Sequence, residues 1–214
     1  MDKERNANQI IRKDGRGCFV ESLNDAFPIG RCHLTFATYD LSRPVGERQT
    51  NLVQIYLECA ELLELCRQAE SGELLMRLQA KKQKGDKTPL YQCMGGTSAE
   101  KLLKNGRPRP DGKSLSRVFQ LVPGSKADFL LVADSGPGEA DEKGLIVPRF
   151  GKHPENHVVI SMGMSPFCEL LLMTRAHYLA WLIANFGRTI AGAAPAPEEE
   201  FSFLEPQEPE MTMF

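Results

Sequence analysis

Two spacings of apolar residues alternate along this chain of 214 residues, and they constrain its fold more than any other feature. Over residues 51–71 the apolar positions lie three and four apart, which predicts a helix that ends at Gly72. The same spacing predicts a second long helix over residues 165–187, with Pro166 in its first turn and Gly187 at its end. Two long helices therefore belong to the fold.

Outside these helices, apolar residues alternate with polar ones, which is the pattern of strands with one buried face. Strands are predicted over 31–40, 74–83, 89–94, 115–122, 127–134, 144–150 and 157–162, and a short helix from Thr97, which has capping-box spacing to Glu100, to Gly106. This order indicates an α+β fold, an antiparallel sheet with two long helices and one short helix. We expect an irregular segment over 1–30, a single α+β domain over 31–188 and a disordered acidic tail over 189–214.

The two long helices share a short similarity, ELLELCR at 61–67 and ELLLMTR at 169–175, and each helix follows a strand. Duplication of a unit made of a sheet and a helix would explain this similarity. Leu-rich amphipathic helices also look alike without common origin, and the sequence leaves both explanations open.

Composition places the chain among soluble globular proteins, with 42% hydrophobic and 25% charged residues. The charged N-terminus predicts no secretory signal, and the most apolar stretch, 167–186, contains Glu169 and Arg175, which predicts a buried helix and no membrane span. Six cysteines are spread singly, which favours reduced thiols and a cytoplasmic protein.

Catalytic and metal-binding motifs are sparse. The chain has no nucleophile elbow, no zinc-protease motif and no dinucleotide fingerprint. His153 and His157 have a spacing that could bind a metal on a helix, but Pro154 lies between them and no cysteine completes the set. We therefore predict a non-enzymatic protein without a metal or cofactor.

Charge is distributed unevenly behind a net charge of −2. Residues 1–188 hold all 26 basic residues and 22 of the 28 acids, a balance of +4, whereas 189–214 hold six acids. Residues 77–126 hold twelve basic residues and three acids, a balance of +9. We call residues 77–126 the basic window.

The basic window combines cations with aromatic rings, as single-stranded nucleic acid binding requires: cations contact phosphates and rings stack on bases. The predicted binding residues are Arg77, Lys81, Lys82, Lys84, Lys87, Tyr91, Arg107, Arg109, Lys113, Arg117, Phe119 and Lys126. Tyr91 is the preferred base stacker and Phe119 the second. Arg117 and Phe119 share a strand face with Leu115 and Leu121, so we expect at least one of them to be partly buried. A merely solvated basic surface is the alternative.

The C-terminal segment EEEFSFLEPQEPEMTMF combines acids with phenylalanines, which fits a partner's apolar pocket surrounded by basic residues. Its predicted partner-binding residues are Glu198, Glu199, Glu200, Phe201, Phe203 and Phe214. Tethered close to a basic surface, the same acids would compete with phosphate there. An inert disordered end is the alternative.

This ending resembles the C-terminal tips of bacterial and phage single-stranded DNA-binding proteins, which end in acids and a phenylalanine and recruit replication and repair enzymes. MTMF stands where that family has aspartates and an Ile-Pro-Phe ending. The body, with sheet-plus-helix units closing in a long helix, looks like the Whirly and PC4-like proteins, which lay single strands across an antiparallel sheet. The general look is also similar to accessory proteins of bacterial plasmids and conjugative elements.

Together these features predict sequence-nonspecific binding of single-stranded DNA, or of RNA, in replication, transfer or repair. The tail would recruit a replication or repair protein, no membrane would be involved, and the two long helices would supply a homodimer interface. The alternative is an adaptor or inhibitor encoded by a phage or mobile element. A third class, an enzyme of nucleic-acid chemistry, requires carboxylates or histidines that converge in a cleft.

Overall fold

The structure, a computed structural model, describes residues 7–190. In chain order its elements are β1 (Gln9–Gly15), β2 (Cys18–Leu23), a 3-10 turn (Phe27–Ile29), β3 (Arg31–Tyr39), β4 (Gln49–Glu58), α1 (Cys59–Glu70), α2 (Glu73–Lys84), β5 (Tyr91–Thr97), α3 (Ala99–Lys104), β6 (Ser114–Pro123), β7 (Phe129–Ala140), β8 (Ile146–Pro148), β9 (Asn156–Met162) and α4 (Met164–Ile190). The α+β fold class is confirmed.

The strands form two antiparallel sheets. Sheet 1 has the order β1-β2-β3-β4, and sheet 2 has the order β5-β6-β7, with β8 and β9 both paired to β7. The chain thus makes a four-stranded meander followed by α1, and then a second meander, β5-β6-β7-β9, followed by α4. Two sheet-plus-helix units are therefore present, as one explanation of the helix similarity requires.

One apolar core joins the two units. Phe36 of sheet 1 lies 5.5 Å from Phe119 of sheet 2, between ring centroids, and Phe129 lies 4.9 Å from Phe167 of α4. The Cys66 thiol of α1 donates to the backbone carbonyl of Leu171 in α4, at 3.6 Å. The inner faces of both sheets and the inner sides of α1 and α4 are consequently shielded from water.

The expectation of an irregular segment over 1–30 is wrong for the residues that form β1 and β2. These strands pair from Gly15 opposite Cys18 and are joined through Gly17, whose φ of 70° is left-handed. A short turn of this kind closes a hairpin, and glycine adopts it without strain. Val20 of β2 is fully buried, so the hairpin belongs to the core.

The predicted helix over 51–71 is half wrong, because residues 49–58 form β4 and only residues 59–70 form α1. Val53, Ile55 and Leu57 of β4 alternate with more exposed residues and are buried. The prediction failed because the apolar residues of this stretch fit both the alternation of a strand and the three- and four-residue spacing of a helix. The β-branched side chains of Val53 and Ile55 favour the strand.

The predicted strand over 74–83 is wrong, because these residues belong to α2. Leu74 and Leu78, four residues apart, are buried, whereas Met76 between them is exposed. Gly72 and Gly85, both with left-handed φ, cap the two ends of α2.

The short helix and the second long helix are confirmed, with shifted ends. α3 begins after Ser98, whose Oγ accepts a hydrogen bond from the Lys101 amide, one residue beyond the predicted start. α4 continues past Gly187 to Ile190. Its first half contributes to the core, whereas Leu179, Ile183 and Phe186 are exposed, so the expected buried helix is buried only in part.

By length and composition α4 could also cross a membrane over Met164–Gly187, within which an 18-residue window has a mean hydropathy of 1.2. The core helices of soluble proteins have the same property, so α4 alone assigns no location.

Candidate nucleic-acid interface

The basic window does not form one sheet surface but divides between the two ends of β6. At one end the Lys82 ammonium donates to the Ala127 carbonyl at 3.0 Å, which brings the end of α2 beside the turn that carries Lys126. Arg107, Arg109 and Lys113 lie in the connection that enters β6 from the other end. A strand of this length separates its ends by about 30 Å.

Two cations of α2 stabilise the fold. The Arg77 guanidinium donates to the Leu90 carbonyl at 2.6 Å and to Gln68 Oε1 at 2.7 Å. The Lys81 ammonium pairs with Asp86 at 2.7 Å. Lys84 and Lys87, at the exposed end of α2 and just beyond, have no ion pair within residues 7–190.

Beyond α2, two arginines of the window are also held in place. The Arg109 guanidinium pairs with Asp111 at 2.9 Å and with Glu155 at 2.7 Å, and its side chain is only 13% exposed. Arg117 donates to Thr97 Oγ1 at 2.8 Å and is half-buried. Neither side chain projects freely from the surface.

The two predicted base stackers point into the core. Phe119 is 2% exposed, so the prediction that it stacks on bases is wrong: it shares the inner face of sheet 2 with Leu121. Tyr91 is half-buried, its hydroxyl donates to Glu61 at 2.9 Å, and burial raises its pKa. The expectation that at least one of Arg117 and Phe119 is partly buried is confirmed for both.

A different sheet surface carries rings and cations. Helices α1 and α4 both contact sheet 1 on its inner face. The Cys59 Sγ of α1 lies 3.5 Å from the Cys32 Sγ, and the Thr174 Oγ1 of α4 donates to the Ser22 Oγ at 2.8 Å. Side chains alternate along strands, so the neighbours of Cys32 and Ser22 point to the opposite side. This side, which we call the outer face of sheet 1, carries Arg12, Phe19, Glu21, His33, Thr35, Tyr39, Gln54 and Tyr56.

Rings and guanidinium groups form two groups on the outer face of sheet 1. In the first, the Arg12 guanidinium lies 3.7 Å above the centroid of the Phe19 ring, and Tyr39 lies 6.4 Å from Phe19. In the second, His33 stacks on Tyr56 at 4.5 Å, and the Arg117 guanidinium lies 5.8 Å from the Tyr56 centroid. Tyr39 and Tyr56 are partly exposed, so their rings reach the surface, whereas Phe19 is buried beneath Arg12.

A buried polar network supports the second group. His33 is fully buried, its Nδ1 lies 3.0 Å from an Asp25 carboxylate oxygen, and its Nε2 lies 3.3 Å from Thr35 Oγ1. Both ring nitrogens therefore have partners, as buried polar atoms require, and they fix the plane on which Tyr56 stacks.

A cleft of about 800 Å³ opens beside Tyr56, between β4 and β5. Its charged lining consists of Asp25, Arg31, Glu58, Lys101 and Arg117. Arg31 and Glu58 form an ion pair at 2.8 Å. Over residues 7–190, no three His, Cys, Asp or Glu side chains are arranged to hold a metal ion.

Sequence reasoning missed the outer face of sheet 1 because it took 1–30 as irregular and 51–71 as one helix. Two signals could have found it. The turn residues of KDGRG lie between two segments that each contain β-branched or aromatic residues, as in a hairpin, and Val53, Ile55 and Leu57 alternate.

The acidic tail, including Glu198, Glu199, Glu200, Phe201, Phe203 and Phe214, lies outside the described residues. Comparison of the chain with models of protein families, with characterised proteins and with solved structures finds no match.

Proposed function

We propose that this protein binds single-stranded nucleic acid, DNA or RNA, without sequence preference, through the outer face of sheet 1. The observation that carries the proposal is that two partly exposed tyrosines, Tyr39 and Tyr56, lie on one antiparallel sheet, each beside a guanidinium group, in the groups Arg12–Phe19–Tyr39 and His33–Tyr56–Arg117. Phe19 and His33 are buried and hold the tyrosines in place without contacting bases. Rings stack on bases of any identity, and arginines contact phosphates and ring faces.

The two groups are spaced for a strand that follows the sheet. Tyr39 and His33 lie six positions apart on β3, which corresponds to roughly 20 Å. Two partly exposed tyrosines, Tyr39 and Tyr56, would stack on bases several nucleotides apart. The intervening strand would cross Gln54, whose amide can bond to sugar, phosphate or base.

Cations meet at the hairpin end of sheet 1. The Tyr39 amide donates to the Gly17 carbonyl at 2.9 Å, which brings the β1–β2 turn with Arg16 beside the β3–β4 connection with Arg43. Arg12 pairs with Asp14 at 2.7 Å. Exposed ion pairs of this kind are weak, so exchange of a carboxylate for a phosphate costs little.

The architecture supports the same proposal. Two sheet-plus-helix units closing in a long helix are what the resemblance to Whirly and PC4-like single-strand binders implies. The basic clusters at the two ends of β6 would contribute long-range attraction of a polyanion, without base contacts.

Titration of the full chain with a labelled single-stranded oligonucleotide and with a duplex of equal length, each at two salt concentrations, tests the proposal. We expect preference for the single strand, indifference to its sequence and affinity that falls with salt by about 0.7 log units per log unit of salt for each phosphate contacted. Equal affinity for the duplex, or no binding at low salt, would contradict it.

A matched pair of variants locates the interface. Tyr39→Ala removes a ring from the outer face of sheet 1 and should weaken binding roughly 5- to 150-fold, as loss of one stacked base does. Tyr91→Phe removes the hydroxyl that bonds to Glu61 and should leave the oligonucleotide affinity unchanged. Tyr91→Phe keeps its ring and so controls for the loss of a tyrosine hydroxyl alone; unchanged affinity of Tyr39→Ala would exclude the outer face of sheet 1.

Removal of residues 198–214 tests the tail. If the acids compete with phosphate, the shortened chain binds the oligonucleotide more tightly, and most so at low salt. Equal affinity of the two chains at every ionic strength would exclude competition. Recruitment of a replication or repair protein by the tail stays a prediction.

The adaptor or inhibitor remains the second candidate because α4 exposes apolar residues. Leu179, Ile183 and Phe186 lie on one side of the helix, at 42%, 73% and 62% exposure. Such residues are typical of an interface with another protein or a second copy. An adaptor would shift neither the single strand nor the duplex, and light scattering would show whether the chain is a homodimer.

A further inference from the structure

The cleft beside Tyr56 is bordered by the open edges of both sheets. β4 is the last strand of sheet 1 and β5 the first strand of sheet 2. Five consecutive residues of β5, Cys93–Thr97, line the cleft, as do the neighbours Ile55 and Tyr56 of β4. Consecutive side chains of a strand point to opposite faces, so a space that all of them line lies along the strand's edge.

An open strand edge presents backbone N–H and C=O groups at every second residue. Within residues 7–190, β5 has a partner strand on one side only, which is β6. The groups on its other side face the cleft. An extended polypeptide complements them because it has amides at the same spacing, whereas a sugar–phosphate backbone has no N–H donors.

The walls of the cleft fit alternate side chains of such a polypeptide. The 3-10 turn and β4 contribute Ile29 and Ile55 on one side, and the tip of the β7–β8 hairpin contributes Leu145 on the other. Arg31, Lys101 and Arg117 exceed the carboxylates of Asp25 and Glu58 by one charge. Apolar residues and an acid are therefore the side chains that the walls favour.

We propose that the cleft binds an extended segment of a partner protein, with apolar residues and a carboxylate, as an added strand on β5. The five lining residues of β5 accommodate about five residues of the partner, some 17 Å of extended chain. A volume of about 800 Å³ is ample for side chains on both walls. This site shares Tyr56 and Arg117 with the second ring-and-guanidinium group and lies roughly 20 Å along sheet 1 from the Arg12–Phe19–Tyr39 group.

Gly95 provides a direct way to block the cleft. A Cβ atom placed on Gly95 meets no other atom within 4 Å, and its φ is not left-handed, so a side chain there enters open space. Gly187 of α4 has the same two properties. Gly95→Leu therefore fills the cleft without strain, and Gly187→Leu adds the same side chain elsewhere.

The probe is a displayed library of random twelve-residue peptides, selected on the full chain and then synthesised with a fluorophore. We expect selected peptides to contain apolar residues and Asp or Glu, and to lose at least tenfold in affinity with Gly95→Leu but not with Gly187→Leu. On binding, the amides of β5 should gain protection from hydrogen exchange. Lys101→Glu should weaken the acidic peptides.

Each alternative to a peptide in the cleft gives a different experimental result. If no selected peptide distinguishes Gly95→Leu from Gly187→Leu, the cleft is not a peptide site. If Gly95→Leu weakens the oligonucleotide instead, the cleft belongs to the nucleic-acid path. If Gly95→Leu converts a dimer into a monomer, the occupant is a second copy. Each result overturns the proposal, and the affinity of Tyr39→Ala for the oligonucleotide is unaffected by any of them.

Discussion

Glu21 lies at the centre of the outer face of sheet 1, between Arg12 and Thr35, and is only 7% exposed. Burial raises its pKa, and the charges of Arg12 and His33 offset this only in part. A carboxyl group in this position costs free energy when it ionises, because water is removed from its charged form.

Glu21→Gln should therefore stabilise the protein at neutral pH. In the parent protein, the folded chain holds the Glu21 proton more tightly than the unfolded chain does. The stability that protonated Glu21 contributes is therefore complete below the ordinary pKa of glutamate and is lost as pH rises through the raised pKa. A permanently neutral glutamine avoids that loss. Urea unfolding should show Glu21→Gln more stable than the parent at pH 7, with a difference that shrinks towards pH 4.

Glu64→Gln is the matched control with the opposite sign. Hydrogen bonds from Arg67 and Gln68 lower the pKa of Glu64 to about 2, so its ionised form is favoured in the folded state. Its contribution is present above the ordinary glutamate pKa and is lost as pH falls. If both variants show the same pH trend, burial does not govern Glu21.

At the residue scale, residue types were readable from the sequence but their exposure was not. The basic window is rich in cations, but Arg77 forms a hydrogen bond, and Lys81 and Arg109 form ion pairs, with other residues of the protein. Whether Phe119 points inward depends on which face of β6 meets sheet 1. The local alternation indicated only that at least one of Arg117 and Phe119 is partly buried, because the choice of face is a property of distant packing.

Among the elements, β5 contains two neighbouring glycines with opposite surroundings. A Cβ on Gly96 would meet the Leu115 carbonyl oxygen and lie 2.7 Å from Ile146 of β8, whereas a Cβ on Gly95 meets nothing. A Cβ on Gly138 of β7 would likewise lie 2.8 Å from Ile146. The β7–β8 hairpin can thus fold over sheet 2 only because Gly96 and Gly138 lack side chains.

Gly96→Ala should consequently destabilise the protein by about 1–3 kcal/mol, as overpacking does, and lower Tm by roughly 2–12 °C. Gly95→Ala should change Tm little, because its methyl group enters the cleft. Thermal unfolding followed by circular dichroism measures both. Equal losses would mean that strand propensity, rather than the close approach of Ile146, determines the result.

Prediction of the elements succeeded where one period was unambiguous. The recovered elements, some with shifted ends, are β3, β5, β6, β7, β8, β9, α3 and α4. Alternating runs or capped helical patterns mark the longer ones. The prediction failed at the junction of β4 with α1, because the apolar residues there fit both the two-residue spacing of a strand and the three-to-four-residue spacing of a helix. α2 failed because a run of alternating Leu and Met also fits a helix, and only packing of Leu74 and Leu78 selects it.

At the scale of the whole molecule, the two sheet-plus-helix units share one core. Phe36 packs on Phe119 across the two sheets, and α1 bonds to α4 through Cys66 and Leu171. One cluster of buried apolar residues has members from Ile10 in β1 to Leu171 in α4. Neither unit can bury its inner face without the other, so duplication of the unit, if it occurred, produced a single folding unit.

Unfolding should therefore be one cooperative transition, although the architecture is twofold. Trp181, the single tryptophan, lies 6.2 Å from Phe27 between ring centroids, so its fluorescence reports contact of α4 with the first unit. Far-UV circular dichroism reports the strands and helices of both units. In urea, with the thiols kept reduced, the two signals should have the same midpoint, as a two-state transition requires. A fluorescence change that precedes loss of secondary structure would show that α4 separates from the first unit before the rest unfolds, which a single cooperative transition excludes.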